Sequence, residues 1–271
     1  MPLQRDATEK LMTIHSENAK GMMPDYHIGE EALPLLADLG EKREVSSDTN
    51  IFAFTLDYAS QTIGLPTGQH VMMQLRDPVT REVIIRAYMP ISETTDAGEL
   101  NVMTQALDSL PLGHWVDFKG PVGKFEYLGK GRCSIGGCER RVRRFVMVCA
   151  GSGITPVFPV PRAVMKDRDD PTACLLLDGN RGEDILCRMD LEASAARDAA
   201  RCELVFALSR PGSDWKGVKG RMNKALFQKR VGGPPTGRDT LVLVCGPAAL
   251  ERRVPGIFTA MGWSDVDFFF F

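Results

Sequence analysis

Residues 144–156 read RFVMVCAGSGITP, an apolar run that ends in a turn with two glycines and continues into a helical pattern. A strand, a glycine turn and a helix in this order open a βα unit of a parallel sheet. Glycines let the backbone approach an anion closely, and the free N–H groups at a helix start favour negative charge. The pattern therefore predicts a phosphate-binding turn at Gly151 and Gly153, although a tight turn without a ligand has the same signature.

Three further apolar runs follow in the carboxyl-terminal half: ACLLLDGN (173–180), CELVFALSR (202–210) and TLVLVCGP (240–247). Their alternation with helical stretches predicts a doubly wound domain around a parallel sheet, which holds its ligands at the carboxyl ends of the strands. Cys245 stands at such an end, where a buried cysteine is also a common small core residue. The terminal phenylalanines 268–271 are predicted to form a buried edge strand.

The amino-terminal half has a different pattern, in which short β-rich runs alternate with turn signals between residues 43 and 128. This spacing predicts an antiparallel barrel. In one run, RAYMPIS (86–92), Arg86 and Tyr88 occupy alternate positions and hence one face of a strand. They could bind a pyrophosphate and a flat ring, or they could be a surface arginine beside a half-buried tyrosine.

Composition limits the class of protein. At 271 residues the chain accommodates two domains, and 44% hydrophobic with 25% charged residues is typical of a globular protein. A net charge of -2 argues against nucleic acid as a partner, and no apolar run is long enough to cross a membrane. The basic cluster Arg140, Arg141, Arg143 and Arg144 is interpreted as a solvated linker. Seven scattered cysteines predict neither disulfides nor a metal site, and the expected location is the cytoplasm.

Six motifs in order carry a family resemblance: GQH (68–70), RAYMPIS (86–92), KGPVGKFEYLGKG (119–131), CAGSGITP (149–156), DGNRGEDIL (178–186) and CGP (245–247). Together they resemble the cytochrome b5 reductase branch of the ferredoxin-reductase superfamily, and within it the carboxyl-terminal reductase part of fungal-type assimilatory nitrate reductase. The resemblance implies a flavin-binding antiparallel barrel at residues 43–130, a linker at 131–144 and a doubly wound NAD(P)H-binding domain at 145–271. It also implies FAD and NADPH or NADH as cofactors.

Residues 1–42 resemble the end of a cytochrome-b5-type haem domain with its linker, and His15 stands where that family has its second haem ligand. A His-Pro-Gly-Gly motif with the partner histidine does not precede it. One histidine cannot complete a bis-histidine site, so neither haem nor molybdenum cofactor is expected on this chain. The implied electron acceptor is a haem protein or haem domain, and the sequence leaves a homodimer open.

The resemblance also implies roles for single residues. Arg86 would bind the FAD pyrophosphate, Tyr88 would line the flavin, and Gly120 with Pro121 would shape the barrel rim. The set for the nicotinamide nucleotide would comprise Gly151, Gly153 and Thr155 at the pyrophosphate, Asn180 and Arg181 at the adenosine half, and Cys245, Gly246 and Pro247 at the nicotinamide. Cys245 would then position the ring and would not act as a nucleophile.

Nucleotide choice is predicted from the end of the strand CELVFALSR. NADH-using relatives have an acidic residue there, whereas this chain has Ser209 and Arg210. These residues suit a 2′-phosphate, and Arg221 could supply a second cation. The sequence therefore favours NADPH, or use of both nucleotides, over strict use of NADH.

Three departures from the family predict impaired activity. A strand and a Gly-Gly turn normally separate segments like LNV and MTQAL, which are joined here, so we expect an open barrel edge and an uncertain register for Thr104 at the pyrophosphate. Met89 replaces a hydroxyl residue near the flavin. Pro159 and Pro161 fall within the helix after Gly153, where each would cost about 3 kcal/mol unless the helix starts late or kinks.

Overall fold

A computed structural model of the chain describes residues 35–46, 49–76, 83–92, 96–104, 107–108, 110–235 and 237–271. These residues form two six-stranded sheets and one three-stranded sheet. Most of the predicted haem-domain remnant, His15 included, lies outside them. No helix in the described ranges is long and apolar enough to cross a membrane.

The first sheet is the predicted antiparallel barrel, with the strand order β4-β3-β6-β1-β2-β5. Its strands are β1 (Leu35–Ser46), β2 (Thr49–Leu56), β3 (His70–Arg76), β4 (Val83–Tyr88), β5 (Glu99–Thr104) and β6 (Trp115–Val122). Their inward side chains form one core, in which the rings of Phe54 and Phe118 meet edge to face at 5.0 Å between ring centroids. Because β1 begins at Leu35 and pairs with β6, the sheet includes residues 35–42, which the sequence assigned to the linker.

The barrel keeps a strand where the sequence predicted a loss. Met103 and Thr104, the first letters of the MTQAL segment, extend β5, which pairs along its length with β2. The far side of β5 approaches the end of β4 through a bridge between Pro90 and Val102 and a hydrogen bond of 2.9 Å from Ile91 N to Asn101 O. A strand is therefore present across the junction, whereas the loss of the family segment between Val102 and Met103 stays a prediction.

The predicted linker is a small antiparallel sheet. It comprises β7 (Phe125–Gly129), β8 (Arg132–Ile135) and β9 (Cys138–Arg141), with the turn between β8 and β9 at Gly136 and Gly137. The basic cluster is only partly solvated, because Arg140 donates hydrogen bonds of 2.6 to 3.3 Å to the carbonyls of Arg238, Thr240 and Val266. The interpretation of the whole cluster as a solvated linker was therefore wrong.

The second large sheet is parallel throughout, with the order β13-β12-β11-β10-β14-β15, as predicted for a doubly wound domain. Its strands are β10 (Arg144–Ala150), β11 (Ala173–Asn180), β12 (Cys202–Leu208), β13 (Val218–Lys219), β14 (Thr240–Cys245) and β15 (Phe268–Phe270). The helices are α1 (Ile154–Val157), α2 (Pro159–Lys166), α3 (Arg188–Ala196), α4 (Lys224–Arg230) and α5 (Ala248–Thr259), with 3₁₀ turns at Gly151–Gly153 and Asp265–Asp267. Alternate residues of β10 enter cores on opposite faces of the sheet.

The two unexpected prolines lie at a helix start. Helix α1 ends at Val157, and α2 begins at Pro159, with Pro161 as its third residue. The first four N–H groups of a helix have no partner within it, so a proline in this turn removes no hydrogen bond. The helix begins directly after Gly153 and is interrupted at Phe158, so this break, and not a late start, removes the predicted cost.

The small sheet and the parallel-sheet domain share one core, which also includes Met103 of the barrel. Phe125 of β7 meets the rings of Phe145, Phe269 and Phe271 at centroid distances of 6.2, 5.4 and 5.6 Å. The terminal phenylalanines form the predicted edge strand, but they are half-buried, and Phe270 keeps 38% of its surface exposed.

Polar contacts also join the two parts of the molecule. The buried Tyr127 hydroxyl donates to the Asp170 carboxylate, which also accepts from Lys130 N at 2.9 Å. Arg162 of α2 donates to Ile91 O of the barrel at 2.7 Å. A buried bond therefore joins the small sheet to the parallel-sheet domain, and a partly buried one joins the barrel to it.

Candidate functional site

A cavity of about 390 Å³ lies between the barrel and the parallel-sheet domain, and we call it the interdomain cavity. Most of its wall is apolar, with His70, Lys124 and Thr155 as polar members. The remaining lining residues are Gly68, Ala87, Met89, Val122, Gly123, Phe125, Pro156, Cys245 and Phe269, Phe270 and Phe271. An apolar slot with a few polar groups suits a flat ring system.

Two titratable groups of this cavity are neutral near pH 7. Burial lowers the pKa of His70 to about 4, so its imidazole carries no charge. Burial, followed by the charge of Glu251, raises the pKa of Cys245 to about 12. A protonated thiol is a poor nucleophile, which suits a positioning role for Cys245.

Strand β4 turns alternate residues to the cavity. Ala87 and Met89 line it, whereas Arg86 is exposed and Tyr88 packs in the barrel core with 8% of its surface exposed. The structure thus places Tyr88 behind the cavity wall, where the sequence expected it to line the flavin. The reason is the two-residue period of a strand, which puts Tyr88 and Met89 on opposite faces.

The Tyr88 hydroxyl is a buried polar group with spare hydrogen-bonding capacity. It approaches the Thr104 side chain, but no regular hydrogen bond forms with the described residues. Burial raises the pKa of Tyr88, while the charge of Arg86 and the Thr104 side chain lower it in part. An unpaired buried hydroxyl is costly unless a ligand pairs with it, so this part of the barrel fits a polar cofactor group.

Gly120 and Pro121 lie in β6, next to the cavity residues Val122 and Gly123. A Cβ atom at Gly120 would stand 3.1 Å from Cγ1 of Val71, a tight contact that the neighbouring strand would have to relieve. Glycine therefore allows β6 to approach β3 closely at this point.

A groove of about 360 Å³ crosses the carboxyl ends of β10, β11 and β12 along helix α5, and we call it the α5 groove. Its lining residues are Ala150, Gly179, Asn180, Ala207, Ser209, Gly220, Arg221, Met222, Phe227, Pro247, Ala249, Leu250, Arg253, Val254 and Ile257. Ligands of open parallel sheets bind in such a crevice at the strand ends.

Two glycine turns lie between the interdomain cavity and the α5 groove, since Ala150 and Pro247 beside them line the groove and Thr155 and Cys245 line the cavity. A Cβ atom on Gly153 would lie 2.4 Å from the backbone oxygen of Cys245, so only glycine allows the turns after β10 and β14 to touch. Gly151 adopts a φ of +56°, which also favours glycine. The Thr155 hydroxyl donates to Ser152 O at 3.0 Å.

Some of the predicted residues line one of the two cavities, and the others lie outside both linings. Met89, Thr155 and Cys245 line the interdomain cavity. Asn180, Ser209, Arg221 and Pro247 line the α5 groove. The other predicted residues lie outside both linings: Arg86, Tyr88, Thr104, Gly120, Pro121, Gly151, Gly153, Arg181, Arg210 and Gly246.

Arg181 and Arg210 are exposed neighbours joined by a backbone hydrogen bond of 2.8 Å from Arg210 N to Arg181 O. Their position beside Asn180 and Ser209 is at the edge of the α5 groove.

Asp178, a buried carboxylate in β11, was not predicted as a site residue. It accepts from Asn180 Nδ2 at 2.7 Å and from the Cys149 thiol at 3.5 Å, and burial raises its pKa to about 7. An acidic letter inside the apolar run ACLLLDGN was the available signal. Asp178 links the Asn180 amide in the groove to Cys149, the β10 neighbour of Cys245.

The sequence analysis also missed the helix wall of the groove. Ala249, Leu250, Arg253, Val254 and Ile257 lie on one face of α5, at the spacing of a helix. Extending a helical period from the CGP motif would have found Arg253.

Comparison with known proteins agrees with this architecture. Residues 36–127 match the family model of the oxidoreductase FAD-binding domain, and residues 147–255 match that of the oxidoreductase NAD-binding domain. The chain is 51% identical to a "Nitrate reductase [NADPH]" of Beauveria bassiana and 49% identical to one of Leptosphaeria maculans, over 98% of this chain and 35% of each relative. The crystal structure of the cytochrome b5 reductase domain of Ulva prolifera nitrate reductase matches with a TM-score of 0.79 at 28% identity, over 88% of this chain and 97% of that one.

A barrel with a flavin-sized cavity, followed by a parallel sheet with a nucleotide groove, defines a flavoprotein oxidoreductase that takes electrons from NAD(P)H. Within that class, the chain belongs to the cytochrome b5 reductase-like reductase parts of nitrate reductases, and its relatives above are fungal. It spans about a third of the length of those relatives.

Proposed function

We propose that this chain oxidises NADPH in preference to NADH, transfers the hydride to FAD and passes electrons singly to a haem acceptor. The observation that carries the proposal is the contact of Gly153 with Cys245, which joins two turns that lie between the α5 groove and the interdomain cavity. A nucleotide lying along both would have its adenosine end over the groove and its nicotinamide beside Cys245.

For the nucleotide, the 3₁₀ turn Gly151–Gly153 would hold the pyrophosphate, while Asn180 and Ser209 would contact the adenosine half. Gly246 and Pro247 would shape the second turn under the nicotinamide ribose. For FAD, Met89, Gly120 and Pro121 would form the rim around the flavin ring. Arg86, Tyr88 and Thr104 would contact the cofactor from the barrel side.

When bound, FAD supplies the change from two-electron to one-electron transfer. The chain's own residues would orient and shield the reacting rings. The apolar wall from Phe125 to the terminal phenylalanines excludes water, and the neutral His70 and protonated Cys245 add no charge beside the transfer path. Met89 offers no hydroxyl there, so we expect slower transfer than with threonine at this position.

The preference for NADPH is supported by the charges of the α5 groove. The lining residues include Arg221 and no carboxylate, and Ser209, which directly follows β12, also lines the groove. An acidic residue at the end of β12 would repel a 2′-phosphate, and a serine beside arginine attracts one.

The acceptor proposed for this chain is a cytochrome-b5-type haem domain, and the reaction of the larger protein would be nitrate reduction. Both rest on the relatives, which are about three times as long as the matched part. A homodimer is a further proposal, to be tested by the molar mass in solution. A cytoplasmic location is supported by seven free cysteines, and fractionation of cells would test it.

The test is the visible spectrum of the purified protein after addition of FAD, followed by anaerobic NADPH or NADH, and then turnover with ferricyanide. The proposal expects a bound-flavin spectrum that bleaches faster with NADPH. Protein that binds FAD and oxidises neither nucleotide would overturn it.

The alternative is a relative that binds nucleotide without turnover. Two observations favour it: Tyr88 lies in the barrel core, and the alignment with the Beauveria protein extends over 313 residues, more than the 271 of this chain. Inserting the family segment after Val102 distinguishes the two. If it restores flavin binding to a colourless protein, the segment was the defect, whereas a wild-type protein that already turns over excludes this alternative.

A further inference from the structure

The charged residues that line the α5 groove are two arginines. Arg221 follows β13 on one wall, and Arg253 lies on helix α5, which forms the other wall. The lining residues include no acidic side chain. The groove therefore has a positive field between its walls that a bound anion would neutralise.

Both arginines are available to a ligand. They are exposed, and neither guanidinium makes a hydrogen bond or ion pair with the part of the chain that the structure describes. Other arginines of this domain are engaged: Arg230 pairs with Glu203 at 2.6 Å, and Arg144 donates to Val231 O at 3.0 Å. Arg221 and Arg253 thus have unused donors, and they are the two arginines that line the groove.

Arg253 is distant from the turns that would hold the pyrophosphate. It comes five residues after Ala248, the first residue of α5, which is about 7.5 Å along the helix axis. Leu250, one helical turn before Arg253, is the residue of α5 that packs against the turn at Gly246. An anion held by Arg253 is therefore separate from one bound at Gly151–Gly153.

We propose that Arg253 is a specificity-determining residue that, with Arg221, binds the 2′-phosphate of NADPH. This rests on the proposed function and deepens it. Ser209, at the end of β12, lies on the same groove and offers a hydroxyl, whereas Arg210 lies outside its lining. The planar guanidinium groups match phosphate oxygens bidentately, so two of them on opposite walls distinguish a 2′-phosphate from a 2′-hydroxyl.

The direct test measures binding of adenosine 2′,5′-bisphosphate and adenosine 5′-diphosphate by calorimetry, with the wild type, Arg253→Ala and Arg252→Ala. Arg252 is the matched control, because it is an exposed neighbour on α5 that does not line the groove. The wild type is expected to prefer the 2′-phosphorylated nucleotide. Arg253→Ala should reduce that preference roughly tenfold or more, and Arg252→Ala should change it by less than about twofold.

Three outcomes overturn the proposal: a wild type without preference, a loss of affinity for both nucleotides alike in Arg253→Ala, or equal effects of the two substitutions. Turnover with NADPH and NADH separates this inference from the proposed function. A wild-type protein that does not turn over, but loses the binding preference in Arg253→Ala, contradicts the reductase activity and supports the role of Arg253. A wild-type protein that turns over with NADH alone and shows no binding preference supports the reductase activity and contradicts the role of Arg253.

Discussion

At the scale of single residues, the site depends on groups whose charge or size the fold has changed. Asp178 is a carboxylate with a pKa near 7, and it holds the Asn180 amide of the groove. Gly153 is a residue whose missing side chain lets two turns touch. Both lie at the carboxyl ends of parallel strands, where the sequence predicted a ligand.

Replacing Asp178 with asparagine is expected to change how stability depends on pH. An aspartate titrates near pH 3.9 in an unfolded chain and near 7 here, so the folded state binds more protons between these values. The wild-type free energy of unfolding therefore falls as pH rises from about 4 to about 7. Urea unfolding gives the free energy of unfolding of Asp178→Asn and of the wild type at pH 5 and at pH 8. The difference, variant minus wild type, should be roughly 2–3 kcal/mol larger at pH 8.

His70 has the opposite effect on stability in part of this range, since its lowered pKa makes the wild type lose stability as pH falls from about 6.5 to about 4. Because both proteins contain His70, the difference between them isolates Asp178. An equal difference at the two pH values would show that Asp178 is not the titrating group.

Gly153→Ala is expected to cost about 2–3 kcal/mol and to abolish nucleotide binding, because its Cβ would overlap the backbone of Cys245 and force the two turns apart. Gly151→Ala is the matched variant, since its Cβ would meet nothing within 4 Å and only the φ of +56° is unfavourable, at about 1 kcal/mol. Thermal unfolding and nucleotide titration measure both. Equal losses in the two variants would contradict the argument from contact.

At the scale of elements, much of the structure could be read from local patterns. The apolar runs before Gly151 and Gly246 are strands that open βα units, as their sequence pattern predicts. A Gly-Gly pair between short runs is a hairpin signal. The hairpin of β8 and β9 was nevertheless not predicted, because the basic residues nearby suggested a linker. The hydrogen bonds of Arg140 reach residues about a hundred positions away, and no local pattern predicts them.

Helix α5 contains a proline where helices disfavour one. Pro255 is the eighth of its twelve residues, so its missing N–H leaves the Glu251 carbonyl without its helical donor. Pro255→Ala is expected to raise the free energy of unfolding by about 1–3 kcal/mol. Pro159→Ala, at the first position of α2, should change it by less than about 0.5 kcal/mol. Denaturant unfolding of both variants checks this, and a larger effect at Pro159 would contradict it.

At the scale of the whole molecule, the flavin and nucleotide halves are parts of one packed body. Met103, Phe125 and Tyr127 belong to the same buried cluster as Phe145 and Leu243. The two-residue period puts Tyr88 and Met89 on opposite faces of the strand, but which of the two faces the barrel core covers depends on packing and could not be predicted from the sequence.

The shared core predicts a single cooperative thermal transition. Neither half can unfold without exposing the rings around Phe125, so the calorimetric and van't Hoff enthalpies should agree. Scanning calorimetry of the protein tests this. Two resolved transitions would show that the halves are independent.

The same shared core limits how this reductase could be exchanged between proteins by recombination. A crossover near residue 143, between the small sheet and β10, would give one parent's Phe125 and Tyr127 to the other parent's Phe145 and Asp170, and the hybrid would inherit mismatched packing and a mismatched buried hydroxyl. A crossover ahead of β1 leaves those partners together. Chimaeras should therefore inherit barrel, small sheet and parallel sheet from one parent.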